Sequence, residues 1–234
     1  MDREDRWDQF IIERREMELQ NLNKVSSLVV EFADLLEKKG VDLVLDLGCG
    51  VGRHLHYLAR RGFKVIGFDI SEETLNIAED LANEAGIEAD FVQGDYLDLP
   101  FNNEVIPAII STSALHHDFP ENIAKTFREI KRIMSGGGYL ACDLLSTRDS
   151  WFGLGRALGE KLFLNHRIPH YFFDEDELLS IMKKINFNVI KLDRDNIVEV
   201  RGGNEFRREK FHLIARKILS QYSPYPSNSG RILT

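Results

Sequence analysis

Between residues 41 and 145, short apolar runs alternate with stretches whose apolar residues recur at helical spacing. The runs at 43–46, 64–69, 90–93, 108–111 and 139–145 read as buried strands. Leu55, Leu58 and Ala59 mark a helix after the first run, and Leu75, Ala78, Leu81, Ala82 and Ala85 a helix after the second. Ser71 suits the N-cap of that second helix, and Glu72 and Glu73 fall in its first turn, where the helix dipole favours acids. Pro107 has no N–H to give a ladder and fits only the start of its strand. Pro120 opens a helix with Ile123, Phe127, Ile130 and Met134 on one face, and Ser135-Gly136-Gly137-Gly138 ends it. Such alternation predicts a parallel sheet with helices on both faces. Ligands of these sheets bind beyond the carboxyl ends of the strands, where the strand order reverses.

Three segments lie outside the alternation. Residues 1–40 read as two helices, the first highly charged yet carrying Trp7, Phe10 and Ile11; a lid is expected here. Residues 146–173 interrupt the pattern with Trp151, Phe152, His166, His170, Tyr171, Phe172 and Phe173, an insertion read as a second cover over the site. The main domain then resumes to residue 217. Asp174 caps a helix with Glu177 three residues on, Leu178, Met182 and Ile185 face inward, and strands follow near 187–192 and 210–216. Residues 218–234 are polar and proline-bearing, which predicts a mobile tail.

The bulk properties narrow the class. The 234 residues carry a net charge of −8 and two cysteines. No apolar run reaches the roughly 18 residues of a membrane span, and no secretory leader is visible, so a cytoplasmic protein is expected. Cys49 and Cys142 lack metal-ligand spacing, which argues against a zinc site or disulfide framework; no metal is expected. The acidity argues against nucleic acid as the main partner. Arg201, Arg207, Arg208 and Lys210 form a local basic patch, read as a solvated connection between strands.

Within VLDLGCGVGRH, Gly48, Gly50 and Gly52 let the backbone turn sharply and approach a ligand. The dinucleotide fingerprint wants a sixth-place glycine, where Arg53 stands, and no Gly-Lys-Ser/Thr closes a phosphate loop. Asp46 would repel a pyrophosphate. It suits an amino group, while the loop and helix N-terminus suit a carboxylate, so the loop favours an amino-acid head. Asp69 ends the second strand, where a carboxylate can hold both ribose hydroxyls or merely cap a helix. Asp95 ends the third, where it can accept from an exocyclic adenine amine or stabilise a turn after Gly94.

VLDLGCGVGRHLHYLARRGFKVIGFDIS, followed by VQGDYLDLPF and STSALHH, resembles the class I S-adenosylmethionine-dependent methyltransferases. It is most similar to their small-molecule branch, which includes quinone-biosynthesis and tellurite-resistance-type enzymes. The resemblance implies an α/β, Rossmann-like sheet of seven strands, mostly parallel with an antiparallel last strand. It implies S-adenosylmethionine as cofactor and S-adenosylhomocysteine as product. Gly48, Gly50 and Gly52 would touch the methionine part, with Asp46 near its amino group. Asp69 would hold the ribose, Ile70 would pack on the adenine, and Asp95 and the Tyr96 backbone would meet the adenine edge. Ser111 would open onto the reacting methyl. Ser135 and Pro107 depart from the family's usual lysine-proline and aspartate at those turns.

The sulfonium already activates the methyl group, so alignment of a nucleophile is the main task of the protein. A base is needed only for an acceptor that keeps its proton, and His116, His117 and His170 are the candidates. The Ser111-Thr112-Ser113-Ala114 stretch lacks the Asn/Asp-Pro-Pro-Tyr of DNA amine methyltransferases. A small aromatic, quinone-like or carboxylic acceptor suits the aromatic insertion. The LHH stretch leaves room for a tRNA wobble-uridine methyltransferase, and a non-catalytic cofactor-binding subunit would share the same loop. An aminopropyl transferase would want acids near the fourth strand, where Ser111–His117 has none, and a nicotinamide dehydrogenase is disfavoured by Arg53. The acceptor and the oligomeric state are not legible.

Overall fold

The computed structural model describes residues 2–201 and 204–219. Its helices are α1 (Arg3–Gln20), α2 (Ser27–Lys39), α3 (Arg53–Arg60), α4 (Glu72–Glu84), α5 (Pro120–Ile133) and α6 (Glu175–Lys184). The main sheet holds β1 (Leu43–Leu47), β2 (Lys64–Asp69), β3 (Asp90–Gln93), β4 (Ile106–Ser111), β5 (Met134–Leu145), β9 (Phe187–Arg201) and β10 (Asn204–Lys217). Three short strands, β6 (Arg156–Ala157), β7 (Leu162–Asn165) and β8 (Ile168–Tyr171), form a separate antiparallel sheet inside the 146–173 insertion.

The seven strands run in the order β3-β2-β1-β4-β5-β10-β9. The first five pair in parallel, and β10 is antiparallel to both of its neighbours. The fold expected from the sequence is present. The order reverses between β1 and β4, which places the carboxyl ends of those strands at the switch point.

Alternation along the strands builds two cores. Leu45 and Leu47 of β1 join Phe127 and Ile130 of α5 and Leu178 and Met182 of α6 on one face. Val44 faces the other way, with Phe32 and Leu36 of α2 and Leu55 and Leu58 of α3. A smaller cluster of Ile11, Val51 and Ile77 fastens α1 to the glycine loop and α4.

Local chemistry explains several boundaries. The Ser71 hydroxyl accepts from the Thr74 N–H and caps α4, leaving the helix dipole complemented by Glu72 and Glu73. Asp174 sits at the N-cap of α6 but makes no capping bond, because its carboxylate is taken by Lys161 and the Thr147 hydroxyl.

The structure corrects three expectations. The glycine run after α5 is not a separate turn: α5 ends at Ile133 and β5 starts at Met134. Gly138 is needed inside that strand because a Cβ would lie 2.8 Å from the Pro107 carbonyl oxygen. Strands β9 and β10 are 15 and 14 residues long, far beyond the predicted stretches. The basic patch is therefore not a solvated connection. Arg208 and Lys210 stand two apart on β10 and face one side of the sheet with His212; Arg208 and His212 are buried. The Arg201 side chain and most of the predicted mobile tail, residues 220–234, lie outside the described residues.

Candidate cofactor and acceptor cavities

The glycine loop leaves β1 with three left-handed residues, Gly48, Gly50 and Gly52, at φ of 77°, 55° and 84°. L-residues other than glycine adopt this region at a cost. At Gly48 there is also no room, since a Cβ would lie 2.5 Å from the Ala114 Cβ. Asp69, at the end of β2, accepts from the Gly50 N–H at 3.0 Å and the Ser71 N–H at 3.1 Å. It therefore ties the loop to the start of α4.

Asp46 lies beneath the loop, 1% exposed, and its Oδ2 has no hydrogen-bond partner among the described residues. Burial, opposed by the Arg53 charge, pushes its carboxyl up to about 7. An orphaned, half-protonated carboxylate is a costly group to bury. The thiols of Cys49 and Cys142 are buried and pushed upward by burial, so neither is an activated nucleophile.

Gly48, Gly50, Asp69, Ile70 and Tyr96 line a cavity of about 210 Å³. Gly52 caps α3 behind it. Ser111 is fully buried and does not line the cavity; its hydroxyl donates to the Leu47 carbonyl at 2.7 Å. Thr112, Ser113 and Ala114 line the wall instead.

Helix α1 lies over this cavity and contributes Trp7, Phe10 and Ile11 to its lining. Arg3 reaches across the end of β3, where Nη1 donates to both oxygens of Asp95 at 2.6 and 2.8 Å. Its Nη2 lies 2.7 Å from Asp118, and its guanidinium sits 4.4 Å from the Tyr96 ring centre. Asp95 also accepts from the Leu97 N–H, as the turn reading expected. It lines a shallow outer groove with Ile70 and Gln93 rather than the inner cavity. Further tethers join Ser71 to Asp8 and Gln93 to Glu4.

A second cavity of about 820 Å³ opens beside the first. Trp7, Phe10, Glu18, Arg53, Ser113 and His117 line both. The larger one is walled by α1, by the strand β10 and by Trp151, Ile168 and His170 of the insertion. His116, His117 and His170 cluster there, with ring centres 4.2 Å apart for the first pair and 4.5 Å for the second. All three are held below the ordinary histidine range, chiefly by burial, and His170 falls to about 4. The Ile168 carbonyl accepts from His170 Nδ1 at 2.9 Å, which leaves Nε2 as the ring's lone-pair nitrogen. Nδ1 of both His116 and His117 is buried without a partner among the described residues.

Sequence reading missed the group that joins the cavities. Ser113 holds a φ of 54°, unusual for a residue with a side chain, and such strain concentrates at functional sites. Its N–H donates to Asp143 Oδ1 at 2.6 Å, and its hydroxyl accepts from Lys210 Nζ at 2.6 Å. Lys210 completes the ring by donating to Asp143 Oδ2 at 3.1 Å. The Lys210 ammonium holds the Asp143 carboxyl below its ordinary value against the burial that would raise it. The alternation of Arg208, Lys210 and His212 along one strand was the available signal.

The glycine-cradled cavity sits at the sheet switch point, where ligands of such sheets bind, with Asp69 in its wall and Asp46 and Asp95 outside its lining. Residues 44–138 match the family described as "Methyltransferase domain". An uncharacterized protein, MJ1123, of Methanocaldococcus jannaschii is 30% identical over 172 residues, 68% of this chain and 75% of that one. A methyltransferase structure from Methanosarcina mazei shares the fold at a TM-score of 0.68 and 24% identity, covering 76% of this chain and 93% of that one. The Burkholderia thailandensis 1,6-didemethyltoxoflavin-N1-methyltransferase, solved with its acceptor and S-adenosylhomocysteine, matches at 0.66 and 18%, covering 91% and 88%. Residues 44–138 thus carry a methyltransferase domain, and the chain as a whole has the fold of S-adenosylmethionine-dependent methyltransferase structures. It spans about a third to a half of the length of most curated relatives that it matches. Among the described residues no helix is long and apolar enough to cross a membrane, and no cluster of side chains is suited to a metal ion.

Proposed function

We propose that this protein transfers a methyl group from S-adenosylmethionine to a small-molecule acceptor, by in-line displacement, with the cofactor in the smaller cavity and the acceptor in the larger. The observation that carries this reading is the junction: Ser113 and His117 line both cavities. Two ligands seated on either side of it would meet there, and orientation is worth about 7–11 kcal/mol of barrier.

The residues fit the cofactor. Asp46 Oδ2 is a buried acceptor in need of a donor, which an ammonium would supply. Gly48, Gly50 and Gly52 keep the loop free of side chains where the amino-acid part would approach. Asp69 would hold the ribose hydroxyls, Ile70 would pack beside the adenine and the Tyr96 backbone would meet its edge, while Asp95, outside the smaller cavity, would accept from the adenine amine only with its pair to Arg3 opened. Ser111 holds the β1–β4 edge under the methyl end. When bound, S-adenosylmethionine supplies an electrophilic methyl group on a sulfonium.

The chain's own task is to exclude water and orient the acceptor. Trp7 and Phe10 of α1 cover both cavities from one side, and Trp151 and His170 of the insertion close the larger from another. The neutral imidazoles of His116, His117 and His170 offer lone pairs to which an acceptor hydroxyl or amine can release a proton. The Burkholderia thailandensis enzyme is named for N1-methylation of 1,6-didemethyltoxoflavin, and the mixed aromatic and polar wall here suits a small-molecule acceptor in the same way.

Calorimetric titration with S-adenosylhomocysteine tests the reading. Wild-type protein should bind, and Asp69→Ala should weaken binding at least tenfold. Absence of binding by the wild-type protein would overturn the enzyme reading, leaving a degenerate loop or a subunit whose site is completed by a partner. Alanine at His116, His117 and His170, one at a time, should lower methyl transfer at least tenfold for one of them. Full activity in all three would show that the acceptor needs no histidine base.

A further inference from the structure

We infer that the acceptor carries a carboxylate or a comparable anionic oxygen, which Lys210 receives where the larger cavity meets the smaller. The inference rests on the two-cavity reading above and adds the charge of the molecule that the larger cavity takes.

The cavity is basic in an acidic protein. The chain as a whole carries a net charge of −8. Five Arg or Lys side chains and three carboxylates line the larger cavity, a formal excess of two positive charges that the Asp149 carboxylate behind Arg208 reduces to one. An enclosed wall of one sign concentrates ligands of the other.

Lys210 is the focus of that charge. It is fixed in position by the Ser113 hydroxyl and Asp143, and its side chain retains 21% of its exposure. An ammonium has three N–H donors; among the described residues two are matched, which leaves one for a ligand. Ser113 belongs to the shared wall, so an anion on Lys210 sits beside the junction and not on the outer rim.

The remaining surroundings complete a pocket for a flat acid. Trp7 and Trp151 are among its lining residues. The Arg208 guanidinium stacks 3.6 Å from the Trp151 ring centre and binds Asp149 through Nε, which anchors that aromatic wall. His116 and His117 stand in the same wall, each with a buried Nδ1 that has no partner among the described residues. A positively charged acceptor seated at Lys210 would place a cation against its ammonium, where the nearest carboxylate, Asp143, is already paired.

The chain's two tryptophans, Trp7 and Trp151, both line this cavity, so their fluorescence reports its occupation. With the protein first saturated with S-adenosylhomocysteine, benzoate, benzamide and benzylamine give three probes of similar size and different charge. Benzoate should bind at least tenfold more tightly than benzamide, with benzylamine weakest. Lys210→Arg should keep that preference. The double variant Lys210→Met with Asp143→Asn, which removes both charges together, should reduce it below threefold while S-adenosylhomocysteine still binds. Equal binding of benzoate and benzamide, or no saturable benzoate response, would overturn the inference and leave the methyltransferase reading standing. Failure of S-adenosylhomocysteine to bind would count against that reading itself.

Discussion

At the scale of single residues, the loop at the end of β1 carries two separable demands. Gly48 is constrained by conformation and by space at once. Gly48→Ala should cost about 1–3 kcal/mol of stability and weaken S-adenosylhomocysteine binding more than tenfold, read by thermal melting and calorimetry. Asp46 is constrained by charge. Its folded-state carboxyl titrates near 7, above the ordinary 3.8, so the free protein holds a proton there that the unfolded chain has lost. Between about pH 4 and 7 this group alone makes folding less favourable as pH rises. A ligand ammonium selects the ionised form. Affinity for S-adenosylhomocysteine should therefore climb by up to tenfold per pH unit below 7 and level off above it. Asp46→Asn should flatten that profile. The three glycines and the acids were legible because each stands at the end of a recognisable strand. The trapped state of Asp46 was not, since it depends on what packs around it.

At the scale of elements, α1 is the piece whose job the sequence could only suggest. Its charged composition and its Trp7-Phe10-Ile11 face predict a helix that lies across something, without saying across what. The structure ties its first turn to Asp95 and Asp118 through Arg3, a partly buried bridge with neighbours that limit solvent screening. Arg3→Ala should speed amide hydrogen exchange through residues 3–20 roughly tenfold and leave β1 and β4 protected, as measured by mass spectrometry. Unchanged exchange would mean that Ile11 and the tethers of Glu4, Asp8 and Gln9 hold the helix without Arg3. The hairpin of β9 and β10 gives the opposite lesson. Its polar outer halves hide the strand pattern, and Arg208 and Lys210 look like surface charges until register places them on the cavity side. The aromatic insertion likewise reads as an interruption, because its strands are only two to four residues long.

For the whole molecule, the buried imidazoles set the pH range of stability. His54 is lowered to about 3 and His170 to about 4, both first by burial, and His116 and His117 are also held well below the ordinary value by burial. In the unfolded chain these rings take up protons near their ordinary 6.5, and in the folded protein they resist. Stability should therefore rise with pH from about 4 to 6.5, by about 1.4 kcal/mol per unit for each ring. Asp46 and Asp69, both raised, pull the other way with fewer groups. A melting temperature higher at pH 7 than at pH 5 by on the order of 10 °C is expected for a chain of this size. A flat profile would show that the rings become hydrated before the fold opens. The parallel half of the architecture was readable because its periods of two and 3.6 are local properties. The two cavities were not, because they arise between segments far apart in the chain.

That separation bears on how the protein is made. Arg3 meets Asp95 across 92 positions, and Gln9 meets Arg167 across 158. On a ribosome adding about 5–20 residues per second, α1 emerges several seconds before the β3 end that receives it, and later still comes the insertion. The earliest segment in this sequence is thus among the last to dock, and a nascent chain would expose Trp7, Phe10 and Ile11 throughout the wait.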